Sequence, residues 1–415
     1  MARNLNVYLH SHECGHLSQD ENGQLGFRYA PAWLSAPDAV PLSHSLPLRE
    51  EPFDRKECAG FFEGLLPELG QREIVARALG ITARNDFAML ERIGGECIGA
   101  VTFLSEHETL SELPARYRRA KRDEFAEIVR SLPRRPLLAG EEGIRLSLAG
   151  AQAKLAVRID DGEFSIPLGN APSTHIVKPA VAGFEHILAN EALCMNLAKR
   201  IGIPTASVAI QTIGDVSFLA IERYDRAFIA SPDRRIQVTR LHQEDFCQAL
   251  GIVSVLKYQS EGGPSHKDCF DLVRATSQVP VIDLKSLFDA SVFNLLIGNR
   301  DAHGKNFSLL RPPGSPVRLA PCYDLLSTAY YPELSKRMAM KLGSTYEDDR
   351  VLKRHFEQFV KEIGLSIAMA NRRLPDIVER LLMSLPELED AYPHAREISA
   401  FLKQRTETLA ARLTK

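Results

Sequence analysis

The sequence predicts an α+β chain in which a β-rich segment is followed by a helical one, giving two lobes with a cleft between them. Short strand-like stretches recur at 154–159, 163–168, 174–178, 206–212 and 216–221. From Gln243 onward the apolar residues fall at helical spacing: Phe246 and Leu250, then Phe270, Leu272 and Val273, then Leu287, Val292, Leu295 and Leu296. A small α+β unit precedes both, over residues 1–105.

In that first unit Asn6 to His10 alternates like a strand. Gly26 to Tyr29, after a Gly-containing turn, reads as its hairpin partner. Phe61, Phe62, Leu65 and Leu66 mark a helical face, and a second helix runs from about Gln71 to Leu79 and stops at Gly80. Residues 106–143 hold a charged segment, Arg116 to Arg130, and then a linker, SLPRRPLLAGEEG. The β-rich part spans 144–225 and includes a helix from about Glu185 to Arg200. Residues 226–415 make the helical part, and Asp348 to Lys415 reads as helices alone.

Composition excludes several classes. With 415 residues, 45% hydrophobic and 25% charged, the chain can hold two or three cored domains. A net charge of −2 supplies no bulk field for nucleic acid or membrane. Seven cysteines without a Cys-x-x-Cys pair predict reduced thiols in a cytoplasm. The start, MARNLNVYLHSHECGH, lacks the apolar run of a signal peptide, and no apolar stretch reaches the ~18 residues of a membrane span.

The chemistry-bearing signal is Asn299-Arg300-Asp301-Ala302-His303-Gly304-Lys305-Asn306, between an apolar helix ending at Ile297 and a short strand, Phe307 to Leu310. Asp301 and Asn306 stand in the D-x-x-x-x-N spacing of a kinase catalytic loop. There the carboxylate deprotonates the attacking hydroxyl and the amide oxygen holds Mg²⁺. The plain alternative is a polar helix-exit loop. Downstream, Asp324 follows a strand-like Val317 to Leu319 and suits a second Mg²⁺ ligand; otherwise it caps a helix at Leu325.

Lys178 ends a β-branched strand, where its ammonium can reach ATP phosphates, and Glu191 on the next helix could brace it. Ser147 and Lys154 flank a stretch of small residues, Ala149, Gly150, Ala151, Gln152 and Ala153, that can close backbone N–H groups on phosphate oxygens. A hairpin turn is the bland reading. Glu222, Arg223 and Tyr224 leave an apolar strand where a kinase hinge would offer backbone groups to adenine. The order of loop, lysine, hinge, catalytic Asp, Asn and metal Asp joins these weak signals into one reading.

These residues resemble the HipA family of toxin kinases. SLAGAQAKLAV (147–157), HIVKP (175–179), IERYDR (221–226), RLHQEDFCQALG (240–251), KYQSEGGP (257–264), IGNRDAHGKNFSLL (297–310) and LAPCYDLLS (319–327) follow the family's motifs in order. SLPL (45–48), FFEGLLPE (61–68) and GITARNDFAMLERIGGECIGAV (80–101) resemble its accessory domain. The resemblance implies a two-lobed protein-kinase-like fold with a small N-terminal accessory domain and an all-helical C-terminal lobe. It implies ATP and Mg²⁺ as cofactors, Asp301 as base, Asn306 and Asp324 as metal ligands, and Lys178 on ATP. Glu222 to Tyr224 would be the hinge, with His303 and Tyr323 lining the nucleotide pocket. Ser147 falls where the family autophosphorylates its phosphate loop.

The same resemblance implies a small helix-turn-helix antitoxin as partner and operator DNA bound through that complex. It also implies an aminoacyl-tRNA synthetase as substrate, the glutamyl type first, with growth arrest and persistence as outcome. Asn371-Arg372-Arg373 could touch phosphates, or form a solvated helix face. A small-molecule kinase and a corepressor with a silenced site remain alternatives. His10, His12, Cys14 and His16 alternate as metal ligands on one strand face would, but Cys14-Gly15 reads as a turn that breaks the pattern.

Overall fold

The structure, a computed structural model, describes residues 3–110, 115–230 and 236–414. The chain divides into two compact units. Met1–Pro179, Gln211–Ser254 and Leu310–Ser315 form the first; Ala180–Ile210, Val255–Leu309 and Pro316–Lys415 form the second.

The first unit opens with strands β1 (Arg3–Leu9), β2 (His12–Gln19) and β3 (Leu25–Tyr29) and a later β4 (Val101–Ser105), ordered β3-β2-β1-β4. The expected direct pairing of the first strand with Gly26–Tyr29 is corrected, because β2 lies between them and pairs with both. Its polar sequence, HECGHLSQ, hid it. Cys14-Gly15 is strand rather than turn. Val7 pairs with Gly15 and Tyr8 with Glu13, so Cys14 bulges and is buried. Gly15 is needed there: a Cβ would lie 2.4 Å from the Arg28 carbonyl oxygen. Among the described residues His10, His12, Cys14 and His16 do not bring three ligand atoms together.

Helices α1 (Pro31–Leu34), α2 (Arg55–Gly64), α3 (Leu69–Leu79) and α4 (Asp86–Ile93) cover this sheet region. Asp54 and Glu57 form a reciprocal capping box that starts α2, and Gly80 in the left-handed region ends α3. The core gathers Phe27, Phe53, Phe62 and Phe103, with ring centroids 5–6 Å apart.

The charged segment resolves into β5 (Arg116–Ala120) and α5 (Arg122–Ser131). The stretch expected to be a linker buries Leu132, Leu137 and Leu138 in the same core. Strands β6 (Leu155–Asp160), β7 (Glu163–Leu168) and β8 (His175–Pro179) follow the expected positions. The chain then supplies α6 (Ile187–Arg200) to the second unit and continues with β9 (Val208–Ile213) and β10 (Val216–Glu222). The sheet order is β5-β7-β6-β8-β10-β9. Phe125 of α5 stacks on Phe164 at 4.1 Å and packs edge-on against Phe218. After β10 come β11 (Arg226–Ala230), β12 (Ile236–Arg240), β13 (His242–Asp245) and the short α7 (Phe246–Ala249).

The second unit is built on α6 and on α8 (His266–Thr276), α9 (Pro280–Ile297), α10 (Lys353–Glu362), α11 (Ile367–Ser384) and α12 (Ala395–Thr414). The all-helical expectation for 226–415 is corrected. Besides β11 to β13, this part carries β14 (Ser308–Arg311), β15 (Arg318–Leu319) and a hairpin of β16 (Arg337–Leu342) with β17 (Thr345–Glu347). Of these, β14 and β15 fall on the short strands expected at Phe307 to Leu310 and Val317 to Leu319, whereas β11 to β13, β16 and β17 were not expected. Of Asn371-Arg372-Arg373, the first two are exposed on α11, as a solvated face would be, while Arg373 is held by Asp289 of α9 at 2.7 and 2.8 Å. Among the described residues no helix is long and apolar enough to cross a membrane. All seven cysteines are free and buried.

Candidate functional site

In the second unit, α9 is apolar nearly all round and ends at Gly298, whose φ of +73° closes the helix. A Cβ there would lie 2.5 Å from Arg405 Nε. Asn299 turns the chain out of the helix, with its amide nitrogen 2.9 Å from Asn294 Oδ1. Arg300 is clamped: its Nε donates to Asp348 Oδ2 at 2.9 Å, and the same oxygen accepts from Arg405 at 2.6 Å. Asp348 is 1% exposed, so the two guanidiniums hold a carboxylate that has left water. Arg300 also anchors by its backbone, donating to Thr328 Oγ1 and accepting from Ala339 N–H.

That clamp presents Asp301, whose side chain is 46% exposed. Tyr258 donates its hydroxyl to Asp301 Oδ1 at 2.7 Å. His303 Nε2 stands 4.0 Å from the other oxygen, and its ring meets Tyr258 edge-on at 5.5 Å. The Asn306 amide nitrogen donates to the Asp301 carbonyl at 3.1 Å, which fixes the amide and leaves its oxygen, an acceptor with lone pairs, on the other side. Asn306 sits in a 3-10 turn, Gly304–Asn306, just before β14.

Tyr323 ties the Asp324 segment to this turn. Its hydroxyl donates to the Lys305 carbonyl at 2.6 Å and lies 2.7 Å from Ser308 Oγ. Asp324 has φ +57°, a left-handed backbone uncommon outside glycine. No helix starts at Leu325, so helix capping does not explain Asp324. Asn190 of α6 grips the next residues, accepting from Ser327 N–H at 2.8 Å and donating to its carbonyl at 3.0 Å. Hydrogen bonds thus join the turn of Asp301, His303 and Asn306 within itself and to Tyr323, and the Asp324 backbone carbonyl takes a 3.4 Å bond from Asn299.

The other expected site residues, apart from Glu191, belong to the first unit. Ser147 is fully buried and donates to the Leu65 carbonyl at 2.8 Å. Gly150 has φ +107°, and its carbonyl accepts from Glu68 N–H. Lys154 Nζ donates back to the Ala149 carbonyl at 2.7 Å, bracing the loop from within. Ala151 at the tip is exposed, Gln152 half-buried and Ala153 buried. Lys178 is buried near the end of β8 opposite Leu219. Glu191, in the second unit, is buried on α6.

Around the expected hinge the three residues part ways. Glu222 is exposed at the end of β10, and Tyr224 directs its hydroxyl to Gln243. The Arg223 side chain is buried, and its backbone N–H donates to the Thr174 carbonyl. It joins a cluster that the sequence did not reveal. Glu96, 0% exposed, receives Arg226 at 2.7 Å, Arg223 at 3.2 Å, Arg240, and both the N–H and hydroxyl of Ser173. Burial alone would raise its pKa, but the guanidiniums of Arg226, Arg240 and Arg223 outweigh that and hold it at about 2. Asp225 completes the network, bonded to Arg223 and to the Gly99 N–H. Glu96, Asp225, Arg226, Arg240 and Tyr258 lie inside stretches that carry the family resemblance, but nothing local marks them as partners; Asp348 and Arg405 lie outside every such stretch.

The family model for the HipA N-terminal domain matches residues 5–104, and that for the HipA-like C-terminal domain matches 146–387. Y4mE of Sinorhizobium fredii, provisionally described as a kinase, is 44% identical over 96% of both chains. The serine/threonine-protein kinase toxin HipA of Shewanella oneidensis is 30% identical over 94% of this chain and 92% of that one. A solved complex of Shewanella oneidensis HipA with HipB and operator DNA matches with a TM-score of 0.86 and 29% identity, covering 99% of this chain and 97% of that chain. The fold is therefore α+β and kinase-like, and the chain belongs to the HipA family.

Proposed function

We propose that the chain is an ATP- and Mg²⁺-dependent serine/threonine protein kinase, acting as the toxin of a toxin–antitoxin pair. The observation that carries this is the Asp301 assembly: a half-exposed carboxylate oriented by Tyr258, beside an asparagine whose amide nitrogen is tied to the Asp301 backbone. Asp301 accepts the proton of the attacking substrate hydroxyl. Asn306 and Asp324 offer oxygen donors, the hard ligand type that Mg²⁺ takes. When bound, Mg²⁺ neutralises charge on the transferring phosphate. The bond from its amide nitrogen to the Asp301 carbonyl restricts the Asn306 side chain, which supports that role. Lys178 serves the ATP phosphates, the 149–154 loop covers them by its backbone, and Glu222 to Tyr224 serve adenine. His303 and Tyr323 line the nucleotide site.

The regulatory part of the reading centres on Ser147. Its hydroxyl is buried on Leu65, so phosphorylation requires the loop to leave this packing. A phosphate carries roughly −1.5 to −2 charge and cannot return to the buried position, which would hold the loop out and the enzyme off. The substrate class is a translation component, an aminoacyl-tRNA synthetase in the first instance, in the cytoplasm. The likeness to the HipA–HipB–operator complex supports a small DNA-binding antitoxin as partner, with DNA read through that partner.

Incubation of the purified chain with γ-labelled ATP and Mg²⁺ tests this, beside Asp301→Asn and Ser147→Ala. Label on Ser147, absent in both variants, is expected. No transfer to any protein from dephosphorylated chain would overturn the reading in favour of a silenced corepressor.

A further inference from the structure

We propose that His186, His394 and Glu397 form a binding site for one divalent transition-metal ion of the zinc class. All three belong to the second unit, and the site is independent of the kinase reading. His186 directly precedes α6, and His394 directly precedes α12. Glu397 lies in the first turn of α12. One ligand atom from each falls within 4.8 Å of the others.

Three features separate this group from an ordinary surface pair. First, the two imidazoles come from distant parts of the sequence and are brought together, 3.7 Å between centroids at 20°, so that a rotation of the exposed His394 ring turns both in-plane lone pairs onto one ion. Second, both histidines hold left-handed backbones, φ +60° for His186 and +63° for His394, which non-glycine residues seldom adopt. Each ring is thus presented by a backbone turn rather than by the helix that follows. Third, His394 Nδ1 is 3.4 Å from Glu397 Oε1, which places a carboxylate beside the ring pair. The pair His394–Glu397 alone would be a common exposed contact of little consequence. His186 converts it into a His₂-carboxylate set, a donor combination that zinc takes with water in the remaining position. The set is nitrogen-rich, whereas the Mg²⁺ ligands proposed above are oxygen donors, so the two ions would sort by ligand chemistry.

An ion here would tie the start of α6 to the start of α12. α6 holds the segment after Asp324 through Asn190 on Ser327, and α12 holds through Arg405 the Asp348 that clamps Arg300 beside Asp301. Occupancy should therefore raise the thermal midpoint of the chain.

Untagged full-length chain, stripped with chelator and dialysed, is titrated with Zn²⁺ against a chromogenic competitor. One equivalent is expected. His394→Ala and Glu397→Gln change half-exposed or exposed side chains, so the fold should survive, as circular dichroism would verify. Each should weaken binding by more than about 100-fold, the upper range for losing only an outer-shell partner. His186→Ala should do the same. Co²⁺ in place of Zn²⁺ should give visible d–d absorption that these variants lose. No binding, or zinc binding that survives all three substitutions, would overturn the proposal.

Discussion

The phenol of Tyr258 donates a 2.7 Å hydrogen bond to Oδ1 of Asp301, and the same ring packs edge-on against His303. A residue from the segment before α8 therefore sets the orientation of the proposed base. Tyr258 is a positioning residue: it acts through Asp301. Tyr258→Phe keeps the ring contact and removes only the hydroxyl. A hydrogen bond to a charged group is worth about 1.5–3 kcal/mol, so kcat should fall by roughly 10- to 100-fold with KM for ATP little changed. Steady-state kinetics with an acceptor protein would check it. An equal loss in KM would point instead to a general collapse of the nucleotide site.

Asp348 should be a stability residue for the loop that carries Asp301. It is buried and holds Arg300 and Arg405 through one oxygen. Removing one partner from a buried ion cluster costs about 3–5 kcal/mol, because the remaining charges lose their counter-ion. Asp348→Ala should lower the urea midpoint accordingly. Replacing Arg405 with Met alongside it should recover part of the loss, since one stranded guanidinium is then gone. Equilibrium unfolding of the single and double variants measures both.

Gly60 should be intolerant of any side chain. It lies in α2, where alanine would ordinarily favour the helix by about 1 kcal/mol. A Cβ there would sit 2.4 Å from the Gly251 carbonyl carbon, backbone that cannot rotate away. The helix also receives Gln248 Nε2 on the Phe61 carbonyl at 2.9 Å, which fixes the approach. Gly60→Ala should therefore destabilise by about 1–3 kcal/mol despite its better propensity. A thermal melt showing equal or greater stability would mean that this contact is looser than the geometry states.

Much of the architecture was legible from local pattern. The strands β6, β7, β8 and β10, helix α6 and the helix-loop-strand around Asp301 fall within a few residues of expectation, because apolar periodicity and glycine stops are local signals. Strand β2 was not legible. Its apolar residues are sparse, and a bulge at Cys14 shifts the alternation that would have marked it. Long-range polar partners were invisible for a different reason. Glu96 and Arg226, or Arg300 and Asp348, meet only through the fold, and single charged residues carry no signature of a partner. The Arg223 side chain shows the converse: a residue inside a motif can turn its side chain into a buried charge cluster that no local pattern marks.

Glu244 should make stability fall as pH rises across neutrality. Its carboxyl is buried beside Ser43 and the N–H of His44, and burial pushes its pKa up to about 7, against the hydrogen bond from Ser43 and the charge of Arg311. A carboxyl whose folded pKa is raised binds its proton more tightly folded than unfolded. Its contribution is present in full below the unfolded value near 4.5 and is lost as pH rises through about 7. His242 acts in the opposite sense: burial holds it near 3, so its contribution is lost as pH falls below its unfolded value of 6.5. Comparing the chain with Glu244→Gln at each pH cancels the histidine. The difference should change by about 2–3 kcal/mol in favour of Glu244→Gln between pH 5 and 8. Urea unfolding at stepped pH measures it, and parallel curves would place the Glu244 pKa at the ordinary carboxylate value.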